Sequence, residues 1–112
     1  MSELELYKGK RKDFLLTFTY GDNSPVDLTG GTINFMVKKK YVDKNENALI
    51  AKTITSISDP QNGIVKIEVL PSDSVNIPIG NYFYEIELER GADDIRTILQ
   101  GVLYIKDVII KG

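Results

Sequence analysis

The stretch Pro78-Ile-Gly-Asn-Tyr-Phe-Tyr-Glu-Ile-Glu-Leu88 constrains the fold more than any other part of this chain. A rigid proline precedes Gly80, which can break the backbone direction, and strict alternation follows: Tyr82, Tyr84, Ile86 and Leu88 point one way, while Phe83, Glu85, Glu87 and Glu89 point the other. A period of two, with one apolar side and one mostly charged side, describes a strand with one face in a core and the other toward solvent.

The same period runs through nearly the whole sequence. Phe14, Leu16, Phe18 and Tyr20 share a face, with Leu15, Thr17 and Thr19 opposite; Ile33, Phe35 and Val37 point inward, with Thr32, Asn34, Met36 and Lys38 outward; Val65, Ile67 and Val69 repeat the pattern. Leu4 to Tyr7 reads as a first edge strand and Ala48 to Ile54 as a short strand suited to a sheet edge. The run from Ile95 to Ile105 is apolar on both sides, with Leu99, Leu103 and Ile105 on one face and Ile98, Val102 and Tyr104 on the other, which suits a central strand. Turn chemistry separates these runs at Gly21 to Pro25, at Asp59-Pro-Gln-Asn-Gly63 and at Arg90 to Asp94. Pro71 to Ile77 predicts one helical turn started by Pro71, with Ser72 or Asp73 accepting from free amides. Tyr41 to Asn47 is too polar to pack and reads as a mobile loop. The apolar residues Val108, Ile109 and Ile110 near the C-terminus either complete an edge strand or wait for a partner.

At 112 residues the sequence has room for one domain, expected over residues 1–112, without a metal or disulfide staple. The expected fold is all-β, with a core that includes Phe14, Phe18, Phe35, Val37, Val65, Ile67, Tyr84, Ile86 and Tyr104. A formal charge of -2 offers no positive field for a nucleic-acid backbone. No apolar run approaches the roughly 20 residues of a membrane helix, and the first residues lack a signal-peptide core, so neither nucleic acid nor membrane is an expected partner.

Cysteine and histidine are both absent, which removes Ser-His-Asp triads, Cys-His dyads and nearly all zinc sites. Carboxylates remain. Glu85, Glu87 and Glu89 share a strand face at a spacing compatible with an acid/base pair or a hard-cation site, but a solvated sheet face gives the same pattern and is preferred. Asp43 to Asn47 begins like a calcium loop and then fails, with Ala48 where glycine is needed and Ile54 where a bidentate glutamate is needed. Lys38 to Lys40 read as gatekeepers at a strand end, and Gly30-Gly31 lacks the Lys-Ser/Thr of a phosphate cradle. The expectation is a chain that is no enzyme, with no catalytic, cofactor or metal residues. Phe83 is the apolar residue among the outward glutamates, to be covered by a loop or by another protein. Phe83, Glu85 and Glu87, together with Val108, Ile109 and Ile110, are therefore the candidate partner-binding residues.

Four segments in order carry a resemblance: Pro25 to Lys39 (PVDLTGGTINFMVKK), Ile57 to Leu70 (ISDPQNGIVKIEVL), Pro71 to Glu85 (PSDSVNIPIGNYFYE) and Thr97 to Ile105 (TILQGVLYI). Their order and spacing resemble small β-sandwich proteins of bacteriophage tails, including the N-terminal domain of baseplate upper proteins from phages of Gram-positive bacteria. The resemblance implies an immunoglobulin-like antiparallel β-sandwich of seven or eight strands that serves as a virion structural or assembly protein, a tail or baseplate adaptor or accessory. It implies other virion proteins as partners, a homo-oligomer or symmetric assembly, and location in the virion after assembly in the host cytoplasm. The sequence stops at Gly112, short of the long C-terminal region by which baseplate upper proteins reach the receptor-binding protein, so decoration, neck, tail-tube and assembly roles stand beside that of adaptor. The competing expectation is a carbohydrate-binding or host-surface-binding β-sandwich module.

Overall fold

Strands form where the alternating runs predict them. In the computed structural model, which describes residues 2–110, these are β1 (Ser2–Tyr7), β2 (Lys12–Thr17), β3 (Thr32–Lys38), β4 (Ile50–Ile54), β5 (Ile64–Val69), β6 (Gly80–Glu89) and β7 (Ile95–Lys106). One helical turn, α1 (Pro71–Ser74), joins β5 to β6. The fold is all-β. A five-stranded sheet runs in the order β1-β7-β6-β3-β4, and β2 pairs with β5 in a second, two-stranded sheet.

Each inward row is buried against the others. Ile33, Phe35 and Val37 of β3, Val65, Ile67 and Val69 of β5, and Tyr82, Tyr84, Ile86 and Leu88 of β6 join Leu6, Phe14, Phe18, Leu103 and Ile105 in one cluster. Phe14 of the small sheet meets Phe35 of the large one with ring centroids 6.4 Å apart, and Phe35 meets Tyr84 at 6.1 Å. Tilted aromatic contacts of this kind add to the area they bury, so the three rings fix how the sheets face one another. The Tyr82 hydroxyl, at the rim, donates to the Pro78 carbonyl at 2.6 Å.

Backbone ties hold the small sheet to the loops around it. Gly63 ends the Pro60–Asn62 turn at φ +71°, and a Cβ there would lie 2.5 Å from the Phe18 carbonyl oxygen and 2.8 Å from that of Val26. The close approach lets the Phe18 N–H donate to the Gly63 carbonyl at 2.9 Å. Leu28, fully buried, is anchored by its N–H to the Pro60 carbonyl at 2.7 Å. Ser74, the buried polar side chain of α1, accepts from the Gly9 N–H at 2.9 Å. Asp73 of the same turn accepts from the Leu70 N–H at 2.7 Å and from the Lys52 ammonium of β4 at 2.6 Å, linking the helical turn to the far edge of the large sheet.

Four expectations are corrected. First, the large sheet is mixed, because β1 runs parallel to β7, from Ser2 opposite Gly101 to Tyr7 opposite Lys106. Strands so far apart in sequence are not forced antiparallel by a hairpin. Second, Tyr104 is outside the core: β7 buries Gly101, Leu103 and Ile105, and Tyr104, on the opposite face, turns its hydroxyl to Glu3 at 3.2 Å. Third, of the two readings of the tail, completion of a sheet edge is set aside, since Val108 to Ile110 lie outside the strands. Fourth, Tyr20 is half-exposed, since β2 ends at Thr17 and its alternation does not extend that far.

Both sides of β7 are apolar for a reason other than central position alone. Ile86 pairs with Leu99 and Glu87 with Thr97, so Ile98 is an extra residue, a β-bulge that turns both Ile98 and Leu99 against the core.

Tyr84→Ala is expected to cost about 3–5 kcal/mol, the range for truncating a buried aromatic, which urea denaturation measures; a loss below about 1 kcal/mol contradicts the central place given to this ring. Asp73 supplies a second expectation. Burial raises its pKa, but the Lys52 hydrogen bond, the Leu70 N–H and the Lys52 charge outweigh it and hold the carboxyl below its ordinary 3.8. A carboxylate with a depressed folded pKa stabilises the fold above its unfolded value, and that contribution disappears as pH falls through the folded one. Asp73→Asn should therefore cost about 1–2 kcal/mol near neutral pH, allowing for partial solvent screening. The difference from the parent should shrink once the pH drops below 3.8, as denaturation series across that range would show.

Candidate functional site

The pairing of β3 with β6 brings the outward residues of two strands together. Lys38 stands opposite Phe83, Met36 opposite Glu85 and Asn34 opposite Glu87. Beyond β3 the chain bends back over this face. The Lys38 ammonium donates to the Asp43 carbonyl at 3.0 Å and to Asn45 Oδ1 at 2.7 Å, and the Lys40 N–H donates to Asp43 Oδ2 at 3.1 Å. These bonds close the loop, and a short 3-10 turn over Asn45–Asn47 leads on toward β4.

The folded-back loop lays Tyr41 on Phe83, with ring centroids 4.3 Å apart and planes 27° from parallel. Tyr41 to Asn47, expected to be too polar to pack, thus contributes one aromatic that packs and a set of polar groups that hold it there. Phe83 is covered by its own chain. Beside the stacked pair lies a pocket of about 240 Å³, lined by the apolar or aromatic Met36, Tyr41, Phe83 and Tyr84 and by the polar Asn34, Lys38, Asn45, Glu85 and Glu87.

The glutamates of β6 are held by neutral partners. Gln100 Nε2 donates to Glu85 Oε1 at 2.6 Å, and Asn34 Nδ2 donates to Glu87 Oε1 at 3.1 Å and to Glu89 Oε1 at 3.4 Å. Asn34 is itself oriented by the Thr53 hydroxyl, which donates to Asn34 Oδ1 at 3.2 Å. Among the described residues none of the three carboxylates forms an ion pair, whereas Glu5, Asp13, Glu68, Asp73 and Asp94 each have a basic partner. Successive outward residues on a strand are spaced about 7 Å apart, and each carboxylate is turned to an amide rather than to another carboxylate. What this arrangement offers chemically is negative charge and hydrogen-bond acceptance beside an aromatic wall.

The six candidate partner-binding residues fall into two groups. Phe83, Glu85 and Glu87 lie together in the pocket just described. Val108, Ile109 and Ile110 lie in the tail beyond β7, with Ile109 99% and Ile110 77% exposed. Val108 and Ile110 border a separate cleft of about 510 Å³ with Val75, Ile79, Lys8 and Lys10, and it shares no residue with the pocket.

Asn34, Met36, Lys38, Tyr41, Asn45 and Tyr84 complete the pocket, and the first five were absent from the sequence-based candidates. Three of them were legible in principle: Asn34, Met36 and Lys38 are the outward row of the strand that pairs with the Glu85 strand. Tyr41 and Asn45 depend on how the loop folds back, which no periodicity encodes. No protein-family model matches this sequence, and no curated protein matches it either.

Tyr41→Ala is expected to cost about 0.5–1.5 kcal/mol, the worth of an aromatic pair beyond its area, without altering the sheet core. Amide hydrogen exchange should speed up over residues 40–47 and remain unchanged in β6. Unchanged exchange in the loop would mean that Lys38, not the stacked ring, holds it.

Proposed function

We propose that this protein is a structural or assembly component of a bacteriophage virion, a tail or baseplate adaptor or accessory built on an immunoglobulin-like sandwich, and that it acts through protein-protein contacts. The observation that carries this reading is the ordered resemblance of four segments to small phage tail proteins. The strand-forming parts of those segments are β3, β5, β6 and β7, so the resemblance falls on the three adjacent strands β7-β6-β3 of the large sheet and on the strand of the small sheet that packs its apolar row against the core.

The architecture supports a contact role. Among the described residues β1 and β4 are the free edges of the large sheet, and β2 and β5 each have one neighbour, so several strands carry backbone groups that another chain can pair with. The outer face of β3 and β6 adds a walled pocket, and the cleft beside the tail adds exposed apolar side chains. Repetition in a symmetric particle turns individually weak contacts of this kind into stable attachment.

A carbohydrate-binding module is the competing reading, favoured by the half-exposed Tyr41 ring bordered by Asn34, Asn45 and Glu85. Mass spectrometry of purified particles and assembly intermediates from the source phage decides between the two. The virion reading expects this protein in stoichiometric amounts in one or the other. Its absence from both, together with saturable glycan binding by the isolated protein, would leave the module as the better account.

A further inference from the structure

We propose that the pocket between Tyr41, Phe83, Glu85 and Glu87 receives an arginine side chain presented by a partner protein, an inference that rests on reading this sheet face as a protein-contact surface. The cavity, at about 240 Å³, lies below the range of roughly 300–1,000 Å³ typical of small-molecule clefts. It suits one long side chain better than a whole ligand.

Charge selects which side chain. Two carboxylates, Glu85 and Glu87, face the cavity against one ammonium, Lys38, and that ammonium is already bonded to the Asp43 carbonyl and Asn45 Oδ1. Glu89 adds a third carboxylate along the same strand face, sharing the Asn34 amide with Glu87. The surplus is negative and, among the described residues, unmatched by any ion pair, whereas acidic groups elsewhere, such as Glu5 of β1 and Glu68 of β5, have basic partners. Each carboxylate accepts a neutral amide at one oxygen and retains acceptor capacity for a charged donor.

The aromatic side selects arginine over lysine. A guanidinium is planar, stacks on a ring face and presents a fork of donors to a carboxylate, whereas an ammonium is a compact, strongly hydrated point charge. Tyr41 is held against Phe83 and is half-exposed, so ring surface is available next to the carboxylates. The Met36 side chain provides an adaptable apolar surface for the methylene stem.

The test is an NMR titration of the isotope-labelled protein with N-acetyl-arginine amide and, in parallel, with N-acetyl-citrulline amide, its neutral near-isostere. The expected result is a saturable shift confined to the Met36 methyl and the backbone amides of Tyr41, Phe83 and Glu85, with the neutral probe at least about tenfold weaker. The double variant Glu85→Gln, Glu87→Gln should lose that preference while keeping the parent's amide spectrum elsewhere. If the double variant does not fold, Tyr41→Ala, which lies in a loop, serves instead and should weaken the arginine probe. Equal response to both probes, shifts scattered over all exposed carboxylates, or no saturable shift overturns the inference. Its failure is separable from that of the virion reading: particles containing the protein alongside a pocket indifferent to arginine would remove the inference alone, and a pocket selective for arginine in a protein absent from particles would remove the reading alone.

Discussion

The contact of Phe14 with Phe35, and of Phe35 with Tyr84, is the interaction on which the rest of the structure depends. One ring comes from the two-stranded sheet and two from adjacent strands of the five-stranded one, so this row joins the layers as well as filling the space between them. Tyr84 stands opposite Gly101 and Val37, and Phe35 opposite Ile86 and Lys52, so displacing either of these two rings disturbs two strand pairs at once. A strand whose alternate residues are fixed inside has no freedom in its other set. Burying Tyr82, Tyr84, Ile86 and Leu88 therefore places Phe83, Glu85, Glu87 and Glu89 on the outer face in one register, because a slip of one residue would exchange the two rows.

That coupling explains what could be read from the sequence. The inward rows of β3, β5 and β6, the turn ending at Gly63 and the helical turn at Pro71 all follow from local rules: period two, left-handed glycine and proline at a helix start. Rules of that kind do not reach across the chain. Leu28 is fully buried but belongs to a loop, so it does not stand out in an alternating pattern. The parallel pairing of β1 with β7 links the two ends of the sequence. The bulge at Ile98 shifts the alternation of β7 between Thr97 and Leu99, a change that depends on the pairing with β6 and not on the run itself.

The candidate site divides along the same line. Its glutamates and Phe83 were legible because the strand's core face dictates them, and its loop half was not. Tyr41 reaches Phe83 because Lys38 and Lys40 gather Asp43 and Asn45 to close the turn, a set of contacts within a few residues whose geometry depends on one another rather than on any repeating pattern. The lysines that read as gatekeepers at the end of β3 thus have a second role. Lys38, by spending two of its donors on the loop, positions the aromatic wall of the pocket.

The two halves also differ in how rigidly they are held, and this bears on recognition. The carboxylates sit on a central strand flanked by β3 and β7, and a bonded chain from Thr53 through Asn34 to Glu87 spans from β4 to β6, with Gln100 of β7 bonded to Glu85 on the other side. Their positions are set before any partner arrives, which limits the ordering cost of binding. The aromatic wall is carried by a loop anchored through exposed and part-buried polar contacts, the kind of segment that opens locally at smaller free-energy cost than a core strand. A pocket with a fixed charged floor and an adjustable ring can close on an entering side chain without disturbing the core, because the ring's support is the loop and not the Phe14, Phe35 and Tyr84 row beneath. On the contact role proposed above, stability and recognition fall to opposite faces of the same strand, because the alternation that makes β6 a core strand also sets which residues its outer face presents.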